Sequence, residues 1–376
     1  MLNSLLIRNF RLFKEIKIPK LNRINLFVGK NNSGKSCLLE AIQVFAAKAM
    51  PTTLSELVLT RDEYWEQLIS QYEEPFGQEF EDPLRHIFYG YHFPEVDSDG
   101  IEIGPIGKAQ KRIHIHPRAY IITEEEDGTR RRTFIDKEEI TNELVNIHTG
   151  LVLMEGNKIL YLMELPYSAR DSRIYKKRIY DIFKEKVNNV QVVPTQNMPI
   201  NKVSSLWDSI NLTDLQDDVV SGLKIIEPNI MGIALVGDTN SRDSRRIPIV
   251  RCEGTEERIP LKTMGDGLTR LFHIILALIN ARDGFLLIDE FENGLHWSIH
   301  SKVWKTIFEI SEKLNVQVFA TTHSQDCVRG FYTVWSGKES DATFYRLEVD
   351  SRLGAKAINY SSGILSDALE SDVEVR

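Results

Sequence analysis

Cysteine is scarce in this chain. Its three residues, Cys37, Cys252 and Cys327, never fall in C-x-x-C spacing. That excludes a disulfide framework and a thiolate zinc site, and it reads as reduced thiols in a cytoplasmic protein. Long apolar runs are missing as well. The longest, Leu271 to Ala281, falls short of the ~20 residues that cross a bilayer, and it carries His273 and Asn280. It reads as a buried helix, and no membrane role is expected. No signal-peptide pattern opens the sequence. Positive charge is not in excess: the formal net charge is −8 over 376 residues. Basic residues gather only locally, at Arg130 to Arg132, Lys176 to Arg178, and Arg242, Arg245 and Arg246. They form no continuous stripe, so a solvated loop or strand edge explains each better than a DNA surface. Repeats, low-complexity tracts and heptads long enough for a coiled-coil arm are absent.

What is present is concentrated in GKNNSGKS, from Gly29 to Ser36. It fits the phosphate-binding pattern G-x-x-x-x-G-K-[ST]. An apolar run (Ile24, Leu26, Phe27, Val28) precedes it and reads as a buried strand. A helical run (Cys37, Leu38, Leu39, Ala41, Ile42) follows. Strand, glycine loop and helix start together make a cradle in which backbone N–H groups converge on an anion. Gly29, Lys30, Asn31, Asn32, Ser33 and Gly34 would wrap the phosphates, with Cys37 at the helix start. Lys35 would reach the β- and γ-phosphates, and Ser36 would ligate Mg²⁺.

Three later segments complete a nucleotide site. FLLIDE, from Phe285 to Glu290, is a buried strand ending in two carboxylates, the Walker B form. Asp289 would support Mg²⁺, and Glu290 would act as general base on the attacking water. A second apolar strand, Val316 to Ala320, runs into Thr321-Thr322-His323-Ser324. His323 would then meet the γ-phosphate at the carboxyl edge of the sheet, where open α/β folds bind ligands. Gly265, Asp266 and Gly267 precede the Leu268 helix and offer a further anion nest.

The order of elements predicts an α/β fold, with a P-loop NTPase core built on a mixed or parallel sheet. Residues 1–51 and 231–376 are expected to form that core as one discontinuous domain. The span 52–230 reads as an insert. It opens with a helical acidic stretch around Trp65 and Leu68. Antiparallel strands follow at Arg112 to His116, Tyr120 to Ile122, Leu151 to Met154 and Ile159 to Leu165. Asp127-Gly128 and Gly156-Asn157 mark hairpins. A helical subdomain near 203–230 ends the insert. The first helix is expected to stop near Pro51.

These motifs resemble the ABC-type P-loop ATPases of the group that includes SMC proteins, RecF and the OLD family. Four segments carry the resemblance: IRNFRLF at Ile7 to Phe13, GKNNSGKS, the Gly-Asp-Gly segment with its helix, and FLLIDEFENGLH with the later ATTHS. The resemblance implies ATP with Mg²⁺, hydrolysis, and a homodimer in which Gly265 to Gly267 closes over ATP held by the other subunit; larger assemblies are also open. Arg11 stands where relatives carry a basic residue near the nucleotide, though a surface arginine is equally consistent. Gln196 is the better candidate than Gln43 for a metal-contacting glutamine. His296 either faces the partner subunit or caps a helix. The Gly-Asp-Gly signature and the Glu292 to His296 segment are closest to OLD-type proteins. About fifty residues follow His323, too few for a Toprim nuclease. This resembles stand-alone OLD-like ATPases of bacterial anti-phage systems and implies a separate effector such as a nuclease. A nucleotide-gated scaffold and a RecF-like DNA-binding ATPase are the alternatives.

Overall fold

The computed structural model describes residues 1–63, 82–124, 128, 130–139, 147–165, 188–237, 246–338, 340–350, 354–371 and 375. The stretch around Trp65 and Leu68, the Lys176 to Arg178 cluster, Arg242, Arg245 and Asp127 lie outside them.

The chain opens with β1 (Leu5–Phe10), β2 (Phe13–Ile18) and β3 (Ile24–Val28), then helices α1 (Lys35–Ala46) and α2 (Pro51–Thr60). Next come β4 (Ile101–Gly104), β5 (Ile113–Glu124), β6 (Arg130–Ile135), β7 (Ile147–Glu155), β8 (Lys158–Glu164) and β9 (Val190–Val193). Helices α3 (Ile200–Asp208) and α4 (Asp214–Leu223) precede β10 (Ile230–Gly237), β11 (Arg246–Cys252) and β12 (Arg258–Pro260). The last third alternates α5 (Asp266–Asn280), β13 (Phe285–Ile288), α6 (His300–Lys313), β14 (Gln317–Thr322) and α7 (Gln325–Trp335). It ends with β15 (Ala342–Asp350), β16 (Gly354–Tyr360) and α8 (Ser362–Glu370).

Two large sheets organise these elements. One runs β16-β15-β3-β14-β13-β9, with every pair parallel except β15–β16. The other is antiparallel, in the order β2-β1-β4-β5-β7-β8, with β6 also pairing β5. Strands β10, β11 and β12 form a third, smaller sheet.

Side-chain alternation along the parallel strands feeds two cores, because successive residues of a strand point to opposite faces. Ile24, Leu26 and Val28 join Leu286, Ile288, Val318 and Ala320 on one face, packed by α3 to α7. Phe27, Leu287, Phe319 and Tyr345 point the other way, to α1 and the antiparallel sheet. Burial on both faces is why β13 reads as an unbroken apolar run and why β3 and β14 are mostly apolar, with Asn25 and Gln317 as buried polar exceptions. Helix α1 fits between the sheets with Leu38, Leu39, Ala41 and Ile42 buried. The apolar run from Leu271 is, as expected, a buried helix: α5 hides every residue from Leu268 to Ile279.

Several local expectations change. Helix α1 stops at Ala46, and Pro51 opens α2 instead of ending α1. A first-turn proline has no hydrogen bond to lose there and arrives with a helical φ. The two strands expected around Pro117 are one, β5, which pairs with β7 straight through Pro117. The span 52–230 supplies strands to both large sheets. Val190–Val193 completes the parallel sheet beside β13, and β4 pairs directly with β1.

Candidate nucleotide site

Parallel register brings the motifs to one edge. Val28 pairs with Thr322, and Ile288 with Ala320, so the loop after β3, the carboxylates after β13 and His323 after β14 leave the sheet together. They line a cleft of about 650 Å³ that includes Asn31 to Cys37, Asp289, Glu290 and His323. A larger cavity, about 740 Å³, lies over the antiparallel sheet at Arg8, His114 and His116. Its carboxylates Asp97, Glu102 and Asp136 are engaged by Arg8, Arg112 and Arg118, whereas the motif residues line the smaller cleft.

The loop tolerates only glycine at two points. Gly34 caps α1 at φ 89°, and a β-carbon there would sit 2.6 Å from the Phe13 ring. At Gly29 a β-carbon would meet the Leu347 carbonyl oxygen at 2.6 Å. The Lys35 ammonium donates to the Gly29 and Lys30 carbonyls at 2.7 and 2.9 Å, folded back over its own loop. Burial pushes its pKa down, against the pull of Asp289, Glu290 and Glu292. The Ser33 hydroxyl oxygen is buried and unpartnered among the described residues. This empty hydrogen-bonding capacity inside a cradle of N–H groups suits an anion.

Ser36 and Asp289 meet across the cleft, the hydroxyl donating to Oδ2 at 2.9 Å. Thr321 donates to Asp289 Oδ1 at 2.6 Å, and Thr195 approaches Oδ2 at 3.3 Å. A hydroxyl and a carboxylate in contact are hard oxygen donors of the kind Mg²⁺ takes, so the pair fits that ion.

Glu290 holds a left-handed backbone at φ 47°, a conformation that costs a non-glycine residue about 1–3 kcal/mol and therefore has to be enforced. Its N–H donates to Thr321 Oγ1 at 2.9 Å. The buried Arg270 guanidinium donates to the Asp289 and Glu290 carbonyls at 2.6 and 3.0 Å, and also to the Pro194 carbonyl. The following residue, Phe291, stacks on Trp304 with centroids 4.1 Å apart. Burial pulls the Arg270 pKa down to about 10, with Asp289, Glu292 and Glu290 opposing. The twist aims the Glu290 carboxylate into the cleft, 3.6 Å from His323 Nε2. Glu292 fixes the histidine from behind: it accepts from the His323 N–H and the Thr322 hydroxyl, both at 2.7 Å.

Arg270, Glu292 and Thr321 hold these groups in place; Glu292 and Thr321 fall inside segments the sequence marked, though not for this role, and Arg270 falls in none. Arg270 sits in an apolar helix, and its role depends on α5 crossing the end of β13, which only the tertiary fold reveals. Arg11 is buried in ion pairs with Glu40 at 3.0 Å and with Glu63, and it borders the cleft; it is no surface arginine. Gln196 is exposed and does not line the cleft; its neighbour Thr195 makes the Asp289 contact instead. Gly265, Asp266 and Gly267 stand outside the cleft as well. Gly267 packs against the segment after Walker B, where an added β-carbon would lie 2.8 Å from the Gly294 carbonyl oxygen. His296 caps a short 3₁₀ turn, its Nδ1 2.9 Å from Ser298 Oγ.

The family model for the AAA ATPase domain matches residues 1–223 and 171–328. The chain belongs to the AAA ATPase domain family. As such it is an ATPase, and its P-loop is a nucleotide site. Across 340 residues it is 25% identical to the ATP/GTP phosphatase of Helicobacter pylori, covering 87% of this chain and 86% of that protein. An uncharacterised Methanocaldococcus jannaschii protein, MJECL10, is 36% identical over 74 residues, covering 18% of this chain and 34% of that protein. Among solved structures, an SMC head bound to the C-terminal winged-helix domain of ScpA superposes with a TM-score of 0.50 at 12% identity. That match covers 96% of this chain and 98% of the other. The AAA ATPase chain therefore has the SMC-head-like P-loop fold, with its mixed sheet and antiparallel region. Among the described residues, no helix is long and apolar enough to cross a membrane.

Proposed function

We propose that this ATPase cleaves the β–γ phosphoanhydride of ATP in the cleft between Gly29–Ser36 and Asp289–Glu290, at a site completed by a second copy of the chain. The observation that carries this is the meeting of Ser36 with Asp289 at 2.9 Å, with Glu290 and His323 facing the same space. The loop N–H groups bind the phosphates. Lys35 exchanges its two carbonyl partners for phosphate oxygens, which compensates its burial. Glu290 takes a proton from water as the water oxygen bonds to the γ-phosphorus. The bond to the β-phosphate oxygen breaks, and ADP and phosphate leave. His323 donates to the γ-phosphate, and Glu292 orients it. Ser36 and Asp289 would hold Mg²⁺, which when bound neutralises charge developing on the β- and γ-oxygens.

Gly265 to Gly267 stand away from the cleft of their own chain, which supports their acting on a partner's nucleotide. That makes a homodimer the working unit. The name of the Helicobacter relative supports a purine nucleoside triphosphate as substrate. The Gly-Asp-Gly signature and the Glu292 to His296 segment support an OLD-like ATPase, coupled to a separate effector such as a nuclease in a defence or DNA-maintenance complex.

Phosphate release from ATP should stop when EDTA removes divalent cations and return with added Mg²⁺. Release that continues undiminished in EDTA would contradict the assignment of Ser36 and Asp289 as a metal pair.

A further inference from the structure

Lys35, Ser36 and Asp289 fix the phosphate end of the cleft, so a bound nucleotide must direct its base toward the other end. The rest of the cleft border is Arg11, Leu12, Arg61, Glu63 and Tyr91. Two features there point to a ligand. The first is an unpaired acceptor. Glu40 bridges Arg11 at 3.0 Å and Arg61 at 2.6 Å, and Arg11 also engages Glu63 Oε1. The other oxygen, Glu63 Oε2, is buried with no hydrogen-bond partner among the described residues. A carboxylate oxygen withdrawn from water without a donor is costly, and native structures rarely keep one. Burial accordingly pushes the Glu63 pKa up, against the pull of Arg11 and Arg61.

The second feature is Tyr91, an aromatic side chain left 56% exposed at the cleft border, its ring tilted against His86 with centroids 5.8 Å apart. It stands on a tight turn, at φ 64° after Gly90 at φ 82°. That turn is tied to the end of β1 by Tyr89 N–H to the Asn9 carbonyl, and by Arg11 N–H to the Ile87 carbonyl, both at 2.9 Å. A flat apolar surface is thereby held on the border of the same cleft as an acceptor in need of a donor.

We propose that this end of the cleft is a purine site, in which Tyr91 stacks on the base and Glu63 Oε2 accepts from an N–H donor on its Watson–Crick edge. The donor is the 6-amino group of adenine or the N1–H and 2-amino pair of guanine. Glu63 is then a specificity-determining residue, and this inference rests on the nucleotide reading above. Purine riboside triphosphate, which is ATP without its 6-amino group, has no donor on that edge and would leave Oε2 unpaired. A site built to hydrogen-bond a substrate group rejects the analogue lacking it.

The test is calorimetric binding of ATP, GTP and purine riboside triphosphate to the intact protein with Mg²⁺. The better of ATP and GTP should bind at least about tenfold tighter than purine riboside triphosphate, as a charge-assisted hydrogen bond implies; which one it is identifies the donor. Glu63→Gln can keep its oxygen on Arg11 only by placing the amide NH2 where Oε2 stood, a donor in place of the acceptor, so the preference over purine riboside triphosphate should vanish. Tyr91→Ala, at an exposed position that spares the fold, should weaken all three ligands by about tenfold through lost stacking. Equal affinity of the wild type for all three overturns the base site and leaves the phosphate site standing. Absence of binding by any triphosphate overturns both.

Discussion

Glu290→Gln is expected to lower ATP turnover by about 10²–10⁴-fold, the usual contribution of a positioned general base, while ATP binding stays near that of the wild type. The amide matches the carboxylate in shape and preserves the φ 47° backbone, because the bonds enforcing that conformation come from Thr321 and Arg270 to main-chain atoms. What it loses is the capacity to take a proton. The decisive readout is the split between kcat and binding. Turnover within a few-fold of wild type would remove Glu290 from the role of base. A parallel loss of binding would mean that the substitution disturbed the phosphate end.

The second large effect should come from a residue that touches no substrate. Arg270→Met removes the cation that donates to the carbonyls of Pro194, Asp289 and Glu290. The Pro194 and Asp289 carbonyls, after β9 and β13, then lose their donor, while that of Glu290 keeps the Asn293 N–H at 3.0 Å, and an unsatisfied buried polar group costs about 1–3 kcal/mol. We expect a loss of about 2–4 kcal/mol in denaturant unfolding, some of it relieved by relaxation of the turn. Catalysis should fall further than stability alone explains, since the Glu290 carboxylate is no longer aimed. Arg270→Lys keeps the charge but not the forked geometry, and it should recover stability better than turnover. A variant that unfolds at the wild-type midpoint and turns over normally would show that the turn holds itself.

The sequence disclosed the P-loop, the Walker B strand and the His323 strand because each is a contiguous run whose spacing encodes its geometry. The parallel core was equally visible, since strands buried on both faces leave unbroken apolar runs such as Phe285–Ile288. Less visible was anything that depended on which strand lies beside which. Val190–Val193 reads as a short strand-like run between Asn188-Asn189 and Pro194, but its place next to β13 is a fact of the sheet alone. The continuity of β1 with β4 was hidden for the same reason. Arg270, Glu292 and Thr321 act on main-chain atoms and neighbouring side chains across sequence gaps that no local pattern spans. Arg11 shows the converse: its motif drew attention to it, but only the Glu40 and Glu63 pairs show it to be a buried ion-pair centre.

The most direct test of the account is phosphate release per chain, with ATP and Mg²⁺, across a wide range of protein concentrations. A cleft that holds ATP but lacks its own Gly265–Gly267 segment predicts a rate that climbs with concentration and then levels off as paired chains saturate. A rate of zero at every concentration would contradict hydrolysis in this cleft, and a constant rate down to concentrations where the chain is demonstrably monomeric would contradict the shared site.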